Sequence, residues 1–309
     1  MHGKIWIAAL VAGSWACAQH DEGSQQAERA VEAPIEDADV EAIVRAELEH
    51  LERNGATRAA IVVLAPDDGR VLAALGSGPE GDAEAERDAP NGSTTKPFTI
   101  AAALEAGLDP ARRFEGGERW RDAEGRELVD AHPRESLDAR DVITHSSNVG
   151  AGRIVEAVGG EAIREMLDLV GIAGESESWT ARGSGVDAHI TPLRLAGAYA
   201  AFANGGYAIE PTADGSGTRR RVMREATANT MLGMLESAVS DEGTGSRARV
   251  EGVRVAGKTG TTRTGAAVFA GIAPVDAPRW VVVVRVEAPD AYGGSVAAPA
   301  FARIVQALR

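Results

Sequence analysis

The first regular apolar pattern of the chain lies between residues 40 and 51. Its apolar positions recur every three or four residues, as on one face of a helix: Val40, Ile43, Val44, Leu48 and Leu51. Asp37 or Asp39 can cap the start of this helix, and the Asn54-Gly55 pair can end it. The pattern therefore predicts one amphipathic helix ahead of the first strand.

Short apolar runs at both ends of the chain predict strands, whereas the middle follows a helical period. The runs AAIVVLA (59–65) and RVLAAL (70–75) flank the turn sequence PDDG, and three more follow near the C-terminus: GVRVAGKTGTT, AAVFAGIAP and WVVVVRVEA. A polar loop is predicted over 76–90, and helical segments over 93–108, at several places within 138–203, and over 295–308. This order predicts an α+β fold. An antiparallel sheet of N- and C-terminal strands is expected to be flanked by helices and joined by an all-helical subdomain.

The first 17 residues have the pattern of an export signal. Lys4 precedes an apolar run, residues 5–11, that is too short to cross a bilayer as a helix. Small residues then lead to Cys17, as in a lipobox, where the cysteine is acylated and becomes the new N-terminus. Ser14 departs from the leucine that is usual at its position. We expect a signal peptide over 1–17 with lipidation of Cys17; the alternative is a cleaved signal in which Cys17 is incidental.

Residues 18–39 are polar, acidic and small, a composition typical of a disordered tether. About twenty extended residues reach roughly 70 Å, at about 3.3–3.6 Å each. The predicted organisation is a domain of residues 40–309, exported and anchored by lipid at the periplasmic face of a bacterial membrane. Ala18 is not an Asp-type retention signal, and similarity to sorted lipoproteins then favours the outer membrane.

Composition narrows the partners of this domain. The chain of 309 residues is 44% hydrophobic but only 4% aromatic, so its core must be aliphatic and rich in alanine. The net charge of −14 leaves no basic stripe to neutralise phosphates, which argues against nucleic acid as a partner. Cys17 is the single cysteine, so the chain forms no internal disulfide.

Lysine is scarce in this chain, which makes two positions stand out. The sequence has 29 arginines but only three lysines, Lys4, Lys96 and Lys258. Lys96 follows Ser93 by one helical turn on the same face, and Pro97 fits a first helical turn. A neutral amine can take the proton of a serine hydroxyl, whereas guanidinium, with a pKa above about 12, cannot. Ser93 by itself is typical of a helix N-cap, but beside a rare lysine it is a candidate nucleophile.

Two later segments, THSSNVG and AGKTGTT, could complete such a site. Their candidate residues are Ser146, Asn148, Lys258, Thr259, Gly260 and Thr261. Glycines such as Gly257 and Gly260 weaken a strand unless something approaches its backbone closely, and a substrate docking along the strand is one such thing. Lys258 would then supply local positive charge for a carboxylate.

His145 stands beside Ser146 and could suggest a Ser-His triad. However, the chain has no Gly-x-Ser-x-Gly elbow, and no acid partner is indicated. We therefore interpret His145 as structural. No motif of the sequence requires a metal ion or a cofactor.

In chain order the three groups match the motifs Ser-x-x-Lys, Ser-x-Asn and Lys-Thr-Gly. From about residue 56 to the C-terminus the sequence resembles the transpeptidase domain of class B penicillin-binding proteins. The likeness extends to longer passages: GSTTKPFTIAAALEAGL, DAHPRESLDARDVITHSSNVG, GSGVDAHITPLRLAGAYAAFANGG, EGTGSRARVEGVRVAGKTGTTR, FAGIAPVDAPRWVVVVRVEAP and YGGSVAAPAFARIV. It implies the penicillin-binding transpeptidase fold, which serine β-lactamases share.

The resemblance also implies a role for each residue of the first two motifs. Ser93 would be the nucleophile that becomes acylated, and Lys96 the base that activates it. Ser146 would relay a proton toward the leaving amine. Asn148 would help to hold Lys96 and the substrate amide.

The third motif would bind the substrate. By resemblance, Lys258, Thr259 and Thr261 would hold a carboxylate, and the backbone N–H groups of Ser93 and Thr261 would form the oxyanion hole. The substrate would be the D-Ala-D-Ala end of a peptidoglycan stem peptide. β-Lactams would acylate the same serine and act as inhibitors.

Three hypotheses about function remain open on these residues: a peptidoglycan transpeptidase or carboxypeptidase, a β-lactamase, and a non-enzymatic protein. A D,D-transpeptidase and a D,D-carboxypeptidase differ in whether an amine or water attacks the acyl-enzyme. A β-lactamase needs fast deacylation, for which class A enzymes use a glutamate beyond the second motif; Glu175 and Glu177 lie there. Class D enzymes have an apolar residue at the position of Asn148, so this subclass of β-lactamase is disfavoured. The third possibility is a non-enzymatic penicillin-binding sensor or scaffold with vestigial turnover.

The sequence departs from the class B pattern in three places. A signal-like segment and a short tether stand where the family usually has a transmembrane anchor and a pedestal domain. The passage GIAGESESWTARGSG is shorter than its counterpart, and so is the loop after Lys-Thr-Gly. We expect surfaces that hold glycan strands or division partners to be reduced.

Overall fold

The structure is a computed structural model that describes residues 37–174 and 178–309. Its α-helices are α1 (Asp37–Arg53), α2 (Lys96–Glu105), α3 (Ala139–His145), α4 (Asn148–Val158), α5 (Gly160–Val170), α6 (Trp179–Ser184), α7 (Pro192–Ala203), α8 (Glu225–Ser237) and α9 (Ala298–Ala307). Its strands are β1 (Arg58–Leu64), β2 (Val71–Ser77), β3 (Ala89–Pro90), β4 (Phe114–Glu115), β5 (Arg119–Arg121), β6 (Glu127–Val129), β7 (Ser136–Leu137), β8 (His189–Ile190), β9 (Tyr207–Ile209), β10 (Arg219–Arg221), β11 (Ala256–Thr261), β12 (Ala266–Ala273) and β13 (Trp280–Glu287).

The main sheet joins the two ends of the chain, as predicted. Its five strands run in the order β11-β12-β13-β1-β2, and each neighbouring pair is antiparallel. In the central pairing Ile61 lies opposite Val284, more than 220 residues away along the chain. This order leaves β11, which carries the Lys-Thr-Gly motif, at one edge of the sheet.

Both faces of the sheet are buried, which explains the unbroken apolar run of β13. Val281 and Val283 pack into a cluster with the helices of the middle segment. Val282 and Val284 point to the opposite face and pack with the apolar sides of α1 and α9. Because successive side chains of a strand alternate between faces, burial on both sides favours consecutive apolar residues such as Val281–Val284.

The segment between β2 and β11 carries α2–α8 and forms the predicted helical subdomain. Four two-stranded ribbons accompany these helices in the described residues: β3-β8, β4-β7, β5-β6 and β9-β10. The predicted polar loop over 76–90 contains a 3₁₀ turn, Gly81–Glu86. The ribbons were not predicted, because strands of two or three residues are too short to show a period.

The predicted first helix is confirmed, and its apolar positions Val40, Val44, Leu48 and Leu51 are at most 4% exposed. It begins at Asp37, so Asp39 lies inside it and does not cap it, and the last residues of the predicted tether are helical. The predicted signal peptide with Cys17, and residues 18–36, lie outside the described residues. No helix within 37–174 or 178–309 combines the length and apolarity of a membrane span.

Candidate active site

Ser93 lies in a tight turn that leads directly into α2. Gly92–Thr95 forms a single 3₁₀ turn, and the α-helix begins at Lys96 with Pro97 in its first turn. The residue that caps α2 is Thr95, and no side chain closes the cap. The N-cap alternative for Ser93 is therefore wrong. Its hydroxyl faces the amine of Lys96.

Lys96 is fully buried and makes three polar contacts. Its Nζ atom lies 2.6 Å from Ser93 Oγ and 2.8 Å from Asn148 Oδ1. A third contact of 2.7 Å joins Nζ to the carbonyl oxygen of Ser184. The amine is thus surrounded by oxygen atoms on three sides, one of them the candidate nucleophile.

The chemistry of these three oxygens orients the amine. The carbonyl of Ser184 can only accept a hydrogen bond. The amide oxygen of Asn148 also only accepts, and its orientation is fixed because the amide nitrogen donates to the carbonyl of Val129 at 2.7 Å. A neutral amine has two N–H groups and one lone pair. With both N–H groups donated to the two acceptors, the lone pair faces the hydroxyl of Ser93.

Burial allows the amine of Lys96 to be neutral near pH 7. Desolvation lowers the pKa of Lys96 to about 7, against the opposing effect of the nearby carboxylate of Asp130. Near neutral pH a large fraction of Lys96 is therefore unprotonated. An arginine at this position would remain charged.

Asn148 and Ser146 come from the junction of α3 and α4. Ser146 has the left-handed conformation, φ 59° and ψ 35°, which few non-glycine residues adopt. Ser147 caps α4 by accepting from the N–H of Gly150 at 2.8 Å, and this places Asn148 in the first turn. The side chain of Ser146 is half-buried and forms no hydrogen bond to the described residues. It is therefore free to meet a ligand.

Lys258 lies on β11 and is as fully buried as Lys96. Its Nζ donates to the carbonyl oxygen of Thr259 at 3.2 Å and lies 3.4 Å from the Thr259 hydroxyl. It has no ion pair among the described residues. Burial, and then the charge of Lys96, lower the pKa of Lys258 well below its usual range. A ligand carboxylate would supply the missing counter-charge.

The two threonines of the third motif are held by their neighbours. The hydroxyl of Thr259 lies 2.7 Å from that of Thr244, and Thr261 Oγ1 accepts from the N–H of Gly293 at 3.1 Å. The N–H of Thr262 donates to Ala266 on the neighbouring strand β12. Because successive N–H groups of a strand point to opposite sides, the N–H of Thr261 points to the open edge of the sheet.

The glycines of β11 make room for the protein's own chain. A Cβ on Gly260 would lie 2.4 Å from the carbonyl oxygen of Asn91, and one on Gly257 would lie 2.5 Å from the ring of Phe269. The sequence suggested a docked substrate as the reason for these glycines. The close approach comes instead from Phe269 and from Asn91, two residues before Ser93.

The turn around Ser93 is held between two other segments. A Cβ on Gly92 would lie 2.8 Å from the carbonyl oxygen of Thr261, and one on Gly185 would lie 2.1 Å from that of Gly92. Gly92 and Gly185 both have positive φ, 58° and 82°. Their missing side chains allow three backbone segments to meet next to Ser93.

Several residues of the site could not be predicted from the sequence. Asp130 accepts from the backbone N–H of Asn148 at 2.5 Å, and the Ser184 carbonyl contacts Lys96. The buried hydroxyl of Tyr199 donates to the carbonyl of Thr94 at 2.9 Å, within the turn that contains Ser93. A backbone carbonyl leaves no sequence signal. Asp130 and Tyr199 are common residue types that no motif marks.

His145 has surroundings that differ from those of a catalytic base. Its Nδ1 lies 3.4 Å from the guanidinium of Arg134, and burial, with the charge of Arg134, lowers its pKa. The ionisable groups that act on it in the described residues are Arg134, Asp141 and Glu242, none in contact with Ser93. These contacts are consistent with the structural role assigned to His145. Glu175 and Glu177 lie outside the described residues.

Known proteins of one family are similar to this chain in sequence. A family model of the penicillin binding protein transpeptidase domain matches residues 59–306. The probable peptidoglycan D,D-transpeptidase PbpC of Pseudomonas aeruginosa is 29% identical over 251 residues, 69% of this chain and 44% of that protein. Penicillin-binding protein PbpB of Mycolicibacterium smegmatis is 31% identical over 330 residues, 81% of this chain and 50% of that protein. The chain thus spans about half the length of the curated relatives it matches.

A solved structure has a similar fold over most of this chain. It is the apo structure of the TP domain from Burkholderia pseudomallei penicillin-binding protein 3, with a TM-score of 0.79 and 28% identity. The match covers 90% of this chain and 96% of that one. Together with the family model and the relatives, it shows that the chain belongs to the penicillin-binding protein transpeptidase domains, of the class B type.

Proposed function

We propose that this chain is a serine acyl-transferase that acts on the D-Ala-D-Ala ends of peptidoglycan stem peptides. One observation carries the proposal. The buried amine of Lys96 lies 2.6 Å from the hydroxyl of Ser93 and also contacts the Asn148 amide oxygen and the Ser184 carbonyl oxygen. Relatives named as peptidoglycan D,D-transpeptidases support the substrate class.

In the acylation step Ser93 Oγ attacks the carbonyl carbon between the two D-alanines while its proton passes to Lys96. The resulting oxyanion accepts from the backbone N–H groups of Ser93 and Thr261. Such donors are worth about 3–4 kcal/mol each at the transition state. The C–N bond then breaks, and the terminal D-alanine leaves with a proton that Lys96 returns through the Ser146 hydroxyl.

The third motif binds the terminal carboxylate of the substrate. Lys258 supplies the charge, and the hydroxyls of Thr259 and Thr261 supply hydrogen bonds. The carboxylate favours the protonated form of Lys258, which is otherwise disfavoured by burial. Charge recognition at this point selects a chain end over an internal peptide bond.

The acceptor decides between two outcomes. Attack on the acyl-enzyme by an amine of a second stem peptide makes a cross-link, which is transpeptidation. Attack by water releases the shortened peptide, which is carboxypeptidation. In either case Lys96 can take the proton of the attacking group, because acylation leaves it next to the Ser93 ester.

The proposal is tested by incubating residues 37–309 with a labelled penicillin and mapping the modified residue by mass spectrometry. We expect one adduct, on Ser93. A synthetic D-Ala-D-Ala stem peptide with an added amine acceptor then separates cross-linking from hydrolysis. Absence of any adduct would contradict the proposal. Rapid nitrocefin turnover would indicate a β-lactamase, and a stable adduct without turnover of the stem peptide would indicate a sensor.

The acylation rate should depend on pH through Lys96. The reactive form is the neutral amine, so the rate should rise with pH and level off above a midpoint near 7, the pKa that burial gives Lys96. The second-order rate constant for penicillin acylation, measured from pH 5 to 9, checks this. A rate constant that stays flat over this range would show that Lys96 is not the base.

We also propose that the domain is exported and anchored by a lipid on Cys17. The support is the apolar run of residues 5–11 and the small residues before Cys17. Incorporation of labelled palmitate into the full chain, with Cys17→Ser as the control, tests the anchor. Incorporation that persists in Cys17→Ser would refute it.

A further inference from the structure

The hairpin of β5 and β6 ends in a carboxylate that the proposed mechanism does not use. Asp130 directly follows β6, is 5% exposed, and points to the N-terminus of α4. One carboxylate oxygen accepts from the backbone N–H groups of Asn148 and Val149, at 2.5 and 3.0 Å. The other accepts from the hydroxyl of Ser147, which caps the helix. A single side chain thus binds three consecutive residues.

The same hairpin also holds the Asn148 side chain. The carbonyl of Val129 accepts from the Asn148 amide nitrogen at 2.7 Å, so that the amide oxygen points to Lys96 at 2.8 Å. Val129 and Asp130 are neighbours in the chain. Val129 thus binds the side chain of Asn148, and Asp130 binds its backbone. Together these contacts fix both the position and the rotation of the amide.

The hairpin is itself packed firmly on α4. The N–H of Asp130 donates to the carbonyl of Glu118 at 2.9 Å, which closes the ribbon. Gly152 on α4 faces Leu128 and Trp120, and a Cβ there would lie 2.5 and 2.6 Å from their side chains. The ribbon therefore cannot move along α4 without losing this contact, and Asp130 keeps its place.

We propose that Asp130 is a positioning residue for the acylation of Ser93, because it locks the first turn of α4 and so presents Asn148 to Lys96. This inference rests on the proposed function. The carboxylate of Asp130 also has a second effect, because its negative charge favours the protonated form of Lys96. The charge of Lys96 in turn lowers the pKa of Lys258, the other buried lysine of the site. The buried Tyr199, whose pKa is raised well above its usual value, stays neutral.

The test compares Asp130→Asn with the wild type in penicillin acylation at pH 6 and pH 8. The amide keeps the shape and one acceptor but removes the charge. We expect slower acylation at both pH values. The ratio of wild-type to variant rate should be smaller at pH 6. Without the charge of Asp130 the pKa of Lys96 falls, so more of its amine is neutral at that pH. Asp130→Ala should lose acylation on the order of tenfold at pH 8, as expected when a charged hydrogen-bond partner is removed.

Asp122→Asn is the matched control. Asp122 lies on the same hairpin, is 8% exposed, and accepts from the N–H groups of Glu124 and Arg126 and from the hydroxyl of Thr180. It touches neither Asn148 nor Lys96 in the described structure. Asp122→Asn should lower the midpoint of thermal unfolding. Its ratio of wild-type to variant acylation rate should be the same at pH 6 and at pH 8.

The outcomes separate the two proposals. A wild type that forms no penicillin adduct overturns the proposed function and this inference with it. An active wild type whose acylation rate is matched by that of Asp130→Asn at both pH values overturns this inference alone. If Asp130→Asn does not fold, Ser147→Ala, which keeps the charge but removes a contact, takes its place. An equal loss at both pH values supports the positioning role, and an unchanged rate contradicts it.

Discussion

Replacing Lys96 with arginine should abolish penicillin acylation of Ser93 while the fold is retained. Arginine keeps the positive charge and the donors for Asn148 and Ser184, but it has no lone pair for the serine proton. General-base catalysis typically contributes about 10²–10⁴-fold, so we expect a rate loss on the order of 10³-fold. Rapid-quench labelling with intact-mass detection measures the loss.

The stability of the variant separates chemistry from packing. Lys96 is fully buried, and the longer side chain is expected to cost about 1–3 kcal/mol in unfolding free energy. Lys96→Met is the matched control: its side chain has a similar length, but it has neither the amine nor a charge. Both variants should keep the near-ultraviolet circular dichroism of the wild type. Full labelling of Lys96→Arg would refute the role of Lys96 as base.

Gly260→Ala should cost both stability and acylation. The added Cβ would lie 2.4 Å from the carbonyl oxygen of Asn91, so the segment ahead of Ser93 or the strand β11 must move. Overpacking of this kind costs about 1–3 kcal/mol, and we expect the upper end because the opposing atom belongs to the backbone. Chemical denaturation gives the free energy of unfolding, and penicillin labelling at matched protein concentration gives the rate, which should fall at least about tenfold.

Gly233→Ala on α8 is the control for the loss of glycine itself. A Cβ at Gly233 meets nothing within 4 Å, so alanine should stabilise the helix by up to about 1 kcal/mol and leave labelling unchanged. If Gly260→Ala lost activity but kept full stability, the glycine would serve a docked substrate and not the packing against Asn91. That result would restore the interpretation that the sequence suggested.

The main sheet and the helices around it could be predicted because their signals are long and periodic. WVVVVRVEA and the helix face that begins at Val40 leave little choice of structure, and pairing the chain ends follows from their order. The two buried lysines could be singled out by their rarity among arginines. This is a chemical argument that needed no knowledge of the fold.

The parts that were not predicted depend on contacts distant in sequence. Asp130 stands 18 residues before Asn148, at the end of a three-residue strand, and nothing in its own segment indicates that it faces a helix N-terminus. Ser184 contributes only a carbonyl, which every residue has. The reason for Gly260 was misjudged because the nearest atom, on Asn91, lies 169 residues away and only the folded chain brings it near.

The meeting of three backbone segments at Gly92 has a consequence for biosynthesis. Thr261 and Gly185, which enclose the turn of Ser93, follow Gly92 by 169 and 93 residues. A ribosome that has completed only the first two motifs has made a serine and a lysine, but not the strand that holds them in place. A nascent chain should therefore remain unreactive toward β-lactams until β11 has been synthesised and has docked. The order of the sequence thus delays reactivity until the last motif is in place, without a separate inhibitor.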